Sequence, residues 1–506
     1  MKKTFVIFLA LVIFSIPSIV SLVHSGFPLT DDGNWMVIRF SAFYEAIRND
    51  QFPVRFLPRL SNGYGYPVAD FLYPLFMYIG FPIHIIGFSF ADTIKVILGL
   101  SMLSSSIFTF LWLKKTFNNL TSFVGSICYV YFPYHLFDLY KRGSVGEILA
   151  LAIVPFILLG IKTKNLIIQA LGYGLLIVAH NTLAVIFIPI ILGYSYLSSE
   201  NKKFNFKLFY PLFLGLGLSA FFSIPAVYDR QYTLFSTTQV SDYSKYFITW
   251  DNFNLLGIVF LIFLLLGFYL IFKKNKFASY FLTVSILAFF ITTPLSDFMW
   301  KTSFLQSYVQ FPFRFASVLI LTSSYIIAAF LNNLKIKESL IFAFIILAAL
   351  FFSSKDFIFP QSYQYHPDTF YSTNRDTTTV KNEYMPKWFN YMNQDYKNKV
   401  EVLKGNAAIN NLVIKGDKIS FNLDSKENSL IQINTAYFPG WEVKVDSKKT
   451  DVIYKDNGLI KFMAEKGSYL VKAGFYETPV RIFSDIVSFI SIIFIIHLFV
   501  RKKYII

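Results

Sequence analysis

Residues 1–35 read MKKTFVIFLALVIFSIPSIVSLVHSGFPLTDDGNW. Two lysines precede an apolar run, Thr4 to Val23, close to the ~20 residues that cross a hydrocarbon core. Lys-Lys before an apolar run is also the signature of a signal peptide. No Ala-x-Ala site follows, however, so the run is read as an uncleaved first transmembrane helix. Directly behind it come two adjacent carboxylates, Asp31 and Asp32, in a polar and aromatic stretch. A charged pair at the mouth of a membrane helix frames the rest of the reading.

The alternation of basic cluster and apolar run continues along the chain. Lys2-Lys3, Lys114-Lys115, Lys162/Lys164, Lys202-Lys203/Lys207, Lys273-Lys274/Lys276, Lys335/Lys337 and Arg501-Lys502-Lys503 each border an apolar segment. If all seven clusters face the cytoplasm, the positive-inside rule predicts about twelve transmembrane helices with both termini inside. They are expected near 4–23, 92–113, 119–137, 147–161, 165–180, 182–198, 208–225, 254–272, 277–294, 315–332, 339–353 and 482–500. Phe71 to Phe90 is apolar but carries Pro74, Gly80, Pro82, His84 and Gly87, and is expected to be interfacial or re-entrant. Leu166 to Leu197 is too long for one helix, and a tight outer turn at His180-Asn181 divides it.

The expected organisation is a transmembrane core over residues 1–353 with an outer loop at 24–70, an extracytoplasmic β-rich domain over 354–480, and a final helix with a basic cytoplasmic tail over 481–506. In the β-rich part, Leu412–Ser420, Leu430–Thr435, Trp441–Val445 and Tyr469–Phe475 carry β-type patterns. Turn signals such as Lys415-Gly416-Asp417 and Asp456-Asn457-Gly458 lie between such runs. The fold class is thus a polytopic α-helical membrane protein with a small β-rich domain before the last helix.

Composition agrees: of 506 residues, 55% are hydrophobic, 19% aromatic and only 15% charged, and the mean hydropathy is positive. This excludes an ordinary soluble globule. The net charge of +16 resides in topology-setting clusters, which argues against nucleic acid as a partner. A single cysteine, Cys128, in an apolar run excludes a disulfide framework.

At the outer surface, Asp31 or Asp32 can act as a general base toward a hydroxyl or ligate a divalent cation. The alternative is helix punctuation, with Thr30 or Asp31 capping a helix that begins near Trp35. Arg48, Arg55, Arg59, Lys141, Arg142, Arg230, Lys245 and Arg314 defy the positive-inside rule, as expected of groups that meet phosphate or lipid head-groups. Glu147 lies at a helix start near Arg142, and serves either a site or the helix dipole. His180-Asn181 is read as a ligand for a substrate oxygen or metal, or as a satisfied buried histidine. Arg314, among apolar residues, needs a carboxylate or phosphate partner.

These residues, with Pro53-Val54-Arg55-Phe56, Gly63-Tyr64-Gly65-Tyr66-Pro67, Phe311-Pro312-Phe313-Arg314-Phe315, Glu383-Tyr384-Met385-Pro386-Lys387-Trp388 and Tyr437-Phe438-Pro439-Gly440-Trp441, give a chain that resembles the GT-C superfamily of polyprenyl-phosphate-dependent glycosyltransferases. More narrowly it resembles a bacterial membrane-protein family labelled "6-pyruvoyl-tetrahydropterin synthase-related". The resemblance implies a bacterial plasma-membrane enzyme that moves a sugar from a polyprenyl-phosphate donor to a glycan, lipid or protein acceptor of the cell envelope. Asp31 or Asp32 would be the base. Arg55, Arg142, Glu147, His180, Asn181, Arg314 and Tyr384 would form the phosphate- and substrate-binding set. No second Asp-x-Asp or Glu-x-Asp motif is evident in a later loop, so a divalent cation is left open and no metal ligand is assigned. The rival expectations are a non-catalytic lipid-linked glycan transporter and an envelope-assembly accessory protein.

Overall fold

The computed structural model describes residues 2–199, 206–236, 242–376, 382–390 and 396–503, and the expected basic pair Lys202-Lys203 lies outside these. Helix α1 (Lys2–Ile19) leads into a long loop that contains α2 (Gly33–Arg48), followed by the short α3 (Leu75–Ile85). Then come α4 (Phe90–Leu113), α5 (Asn119–Tyr131), α6 (Pro133–Phe137), α7 (Val145–Lys162), α8 (Leu166–Ala179), α9 (Asn181–Ser198), α10 (Tyr210–Leu218) and α11 (Ala220–Asp229). The helical part is completed by α12 (Gly257–Phe272), α13 (Lys276–Thr292), α14 (Asp297–Trp300), α15 (Ser303–Tyr308), α16 (Ala316–Asn332), α17 (Ile336–Ser354), α18 (Asp368–Thr373) and the final α19 (Pro479–Lys503).

Several basic clusters double as turns. Asn118, Asn165 and Asn275 each follow a lysine-containing segment and accept the first N–H groups of α5, α8 and α13 at 3.0–3.1 Å. A side-chain oxygen at the N-cap satisfies an otherwise orphaned donor, so one apolar run ends and the next begins within a few residues.

Among the described residues, seven helices are long and apolar enough to cross a membrane, or up to nine if each of two bent pairs forms one span. The expected twelve runs all contain helix, but several are short or broken. The run at 119–137 stops at Phe132-Pro133, where proline supplies no N–H, and that at 208–225 bends by 75° at Ser219. Helices α5, α8 and α12 have 13, 14 and 16 residues, short for a ~30 Å core. Phe71–Phe90 holds only the 11-residue α3 before α4 begins. The apolar windows of α7 and α16 are each 89% buried, against 17% for α19. Helices α7 and α16 therefore form the centre, with α4 and α8 against α7, and α5, α12 and α13 against α16.

Strands β1 (Phe27–Pro28) and β2 (Tyr363–Gln364) pair antiparallel and tie the first loop to the segment after α17. The β-rich region holds β3 (Val400–Lys404), β4 (Ala407–Lys415), β5 (Lys418–Ser425), β6 (Ser429–Ala436), β7 (Trp441–Val445), β8 (Lys448–Thr450), β9 (Leu459–Ala464) and β10 (Gly467–Phe475). They form a five-stranded sheet, β4-β5-β10-β7-β8, and a three-stranded one, β3-β6-β9. The expected strand over Leu412–Ser420 is instead the end of one strand and the start of another. Gly416, with φ +58°, turns the chain between them. Alternate residues of β5 (Ile419, Phe421, Leu423) share one apolar core with Ile431, Ile433, Ile460 and Phe462 of the other sheet. Phe56 of the first loop enters this core against Trp441 and Phe475, with ring centroids 5.5 and 5.3 Å apart. That plug brings the first loop and the β-rich region to the same end of the bundle.

Candidate active site

The site is assembled where the first loop crosses the break between α6 and α7. Residues Asp138–Arg142 form a π-helical turn, closed by Gly143 in the left-handed region at φ +66°. The turn leaves the carbonyls of Lys141 and Arg142 without helical partners, and they accept the N–H groups of Asp31 (2.9 Å) and Asp32 (2.8 Å). A β-carbon at Gly143 would stand 2.2 Å from the Thr30 hydroxyl, so only glycine allows the two segments to close this far. Thr30 Oγ1 accepts the Gly33 N–H at 3.0 Å at the entry to α2, while Asp32 occupies the N-cap position without using its side chain. Punctuation of the helix thus falls to Thr30, and both carboxylates remain available.

Glu147 lies fully buried in the first turn of α7, where the helix dipole favours its charge. Its Oε1 accepts from Arg142 Nη1 at 2.5 Å and from Arg314 Nε at 2.9 Å, and faces His180 Nε2 at 3.8 Å. Gly146 permits this convergence: a β-carbon there would meet the Tyr73 ring at 2.2 Å and the Ala179 carbonyl at 2.6 Å. Arg142 also donates to Asp138 at 2.8 Å and lies over the rings of Phe311 and Phe313. Its Nη2 is 3.8 Å from Asp32, which is 43% exposed, while Asp31 lies 3.6 Å from Lys141 and is 56% exposed. Arg314 completes its shell with Val309 O (2.7 Å) and Gln310 (3.0 Å). One oxygen of the buried carboxylate holds both guanidiniums, an arrangement that can pre-organise cations for an oxyanion.

The candidate residues do not all meet. Asp31, Asp32, Arg142, Glu147, His180 and Arg314 converge. His180 Nδ1 accepts the Leu183 N–H at 3.2 Å to cap α9, and its ring lies 4.6 Å from that of Tyr73. Asn181 is exposed beside it and accepts the Thr182 N–H. Tyr384 stacks on Phe71 (5.5 Å, 6° between planes), at the margin of the cluster. Arg55 is elsewhere: its guanidinium binds Asp485 (2.9 Å), Glu477 (3.3 Å), Asp70 (3.6 Å) and the Phe221 carbonyl (2.5 Å). Arg481, on α19, holds Asp229 (2.9 Å) and Asp70 (3.6 Å) in the same network. Each nitrogen of the Arg55 guanidinium thus meets a protein acceptor, and Arg55 fastens α19 and the β-rich region to the bundle, away from the Glu147 cluster.

Two further residues adjoin the cluster: Arg39, which sequence reasoning did not single out, and Glu383, which it quoted only as the start of the stretch ending at Trp388. Arg39 is buried on α2, seven residues after Asp32 and so on the same helix face two turns on, a spacing visible in the sequence. Glu383 comes in from the segment hydrogen-bonded to residues 232–234. Burial pushes its carboxyl up to about 7, against the opposing pull of Arg39 and Arg314, while Asp32 adds to the rise. Among the described residues no three His, Cys, Asp or Glu side chains converge on a point that could hold a metal.

No family model matches the sequence. A curated relative, the uncharacterized protein YfhO of Bacillus subtilis (strain 168), is 28% identical over 115 residues, which is 21% of this chain and 13% of that protein. The mycobacterial arabinofuranosyltransferase AftD aligns at 12% identity and a TM-score of 0.46, covering 71% of this chain and 27% of that one. The Archaeoglobus fulgidus oligosaccharyltransferase, in complex with zinc and sulfate, aligns at 14% identity and a TM-score of 0.43, covering 73% and 53%. The chain therefore spans about an eighth of the curated relative it matches, and a quarter to a half of these two structures.

Proposed function

We propose that this chain is a membrane glycosyltransferase that moves a sugar from a polyprenyl-phosphate-linked donor to a hydroxyl-bearing acceptor of the cell envelope. It would act at the outer face of the bacterial plasma membrane. The observation that carries the reading is the pairing of a solvent-reachable carboxylate, Asp32, with two buried arginines held on one buried carboxylate, Glu147.

In this reading Asp32 takes the proton from the acceptor hydroxyl, whose oxygen attacks the anomeric carbon. The bond from that carbon to the phosphate oxygen breaks in the same displacement, the phosphate leaves with the electron pair, and configuration inverts. Arg142 Nε and Nη2 and Arg314 Nη2 make no hydrogen bond among the described residues, and they point the unused part of each fork at the departing oxygens. Glu147 neither donates nor receives a proton; it holds the two cations and offsets their repulsion. The narrower bacterial family named above accompanies this reading as a resemblance.

The test is release of polyprenyl phosphate from a synthetic polyprenyl-phosphate-sugar by the purified protein supplied with envelope extract. Asp32→Asn is expected to lower turnover at least about 100-fold, the scale of general base catalysis, with an unchanged melting temperature. Full activity in that variant would remove Asp32 as the base, and a wild-type protein that binds several donors without turnover would overturn the reading in favour of a transporter or scaffold.

A further inference from the structure

Beside the cluster a cleft of about 390 Å³ opens between the π-helical turn and the segments around Tyr246 and Asn254. Asp31, 56% exposed, stands on its wall. Arg142, whose Nη2 lies 3.8 Å from Asp32, also lines the cleft, so the reacting carboxylate adjoins it.

Each cation on the cleft wall faces a carboxylate. Lys141 faces Asp31 at 3.6 Å, Lys245 binds Asp242 at 2.6 Å, and Arg142 is held by Asp138 and Glu147. The remaining chemistry is aromatic and amide. The rings of Tyr246 and Phe313 lie 5.7 Å apart on the wall, and Asn254 and Gln361 are exposed at the rim. Asn252 is not available, because its oxygen accepts the Thr249 N–H (2.7 Å) and its amide donates to the Phe247 carbonyl (3.0 Å). Apolar ring faces beside free amides and a carboxylate match a molecule with C–H faces and several hydroxyls.

We infer that this cleft is a binding site for a saccharide, the acceptor end of the reaction, with Asp31, Asn254 and Gln361 receiving its hydroxyls and Tyr246 its ring face. Asp31 is then a specificity group and Asp32 the reacting one. The assignment of acceptor rests on the proposed transferase reading; the saccharide site itself does not.

The test is direct binding of methyl glucoside, methyl galactoside, methyl arabinofuranoside and methyl N-acetylglucosaminide to the purified full-length protein in nanodiscs, by saturation-transfer NMR, without donor. At least one glycoside is expected to bind. The double variant Asn254→Ala/Gln361→Ala should weaken it about tenfold through two lost hydrogen bonds, and Tyr246→Ala should do likewise through the lost ring face. Melting temperatures confirm that the rim variants are folded. Binding by none of the four glycosides, or equal binding by parent and rim variants, overturns the inference. Binding with the expected pattern but no turnover with any donor leaves the saccharide site standing and removes the transferase reading.

Discussion

Replacing Glu147 by Gln removes the one negative charge shared by Arg142 and Arg314 while leaving the side-chain volume almost unchanged. At contacts of 2.5 and 2.9 Å, each attraction is worth roughly 6 kcal/mol at an effective dielectric of about 20, before desolvation is subtracted. Desolvation cancels most of that gross figure, and removing one partner of a buried pair costs about 3–5 kcal/mol, because the other charge stays buried. Arg142 keeps Asp138 at 2.8 Å, and the new amide oxygen can still accept one N–H, so Glu147→Gln is expected at the low end, about 3 kcal/mol. The assay is unfolding of the purified protein in micelles, followed by tryptophan fluorescence, as a double-mutant cycle with Arg314→Gln. The double variant should be more stable than the sum of the singles by about 1–3 kcal/mol, since it no longer buries an uncompensated guanidinium. A Glu147→Gln cost under about 1 kcal/mol, or strict additivity, would falsify the account of this cluster as a coupled unit.

Other expectations follow from the same structure. The Glu383 carboxyl is raised from its ordinary 4.5 to about 7, so the folded state holds the proton more tightly than the unfolded one. Its contribution is therefore fully present below about pH 4.5 and is lost as pH rises to about 7, by at most about 3 kcal/mol. Glu383→Gln should flatten that part of the stability–pH curve. Gly143→Ala meets both a left-handed backbone and the Thr30 hydroxyl at 2.2 Å. It should cost about 1–3 kcal/mol and lower turnover by shifting Asp31 and Asp32, read from melting temperature and donor cleavage; a neutral effect on both would refute the tight crossing. Arg55→Met should lower the melting temperature through the unpaired Asp70, Glu477 and Asp485 yet leave turnover per folded molecule unchanged. A selective rise in donor KM would return Arg55 to the binding set.

Much of this protein was determined by the sequence alone. Apolar runs of spanning length bounded by lysines can be stable only in lipid, because no water-exposed surface of that composition folds, and their Lys-Asn ends carry the caps that start the next helix. The local β-patterns at Leu430–Thr435, Trp441–Val445 and Tyr469–Phe475 likewise follow from side-chain period, and each lies within an observed strand. Asp31, Asp32, Arg142, Glu147, His180 and Arg314 stood out because charge beside a membrane helix is costly unless used.

What only tertiary structure decided was partnership. An arginine among apolar residues must find an anion, but sequence cannot say whether the anion is a ligand or the protein. Arg314 and Arg142 meet Glu147 with donors to spare, whereas Arg55 is consumed by carboxylates more than 400 residues away. Helix breaks at Pro133 and Ser219 depend on how neighbours satisfy the freed backbone, so the expected even hairpins became short and bent segments. The placing of Asp31 and Asp32 beside Arg142 arises from two backbone hydrogen bonds to a π-helical turn more than 100 residues on, a long-range contact with no periodicity to betray it.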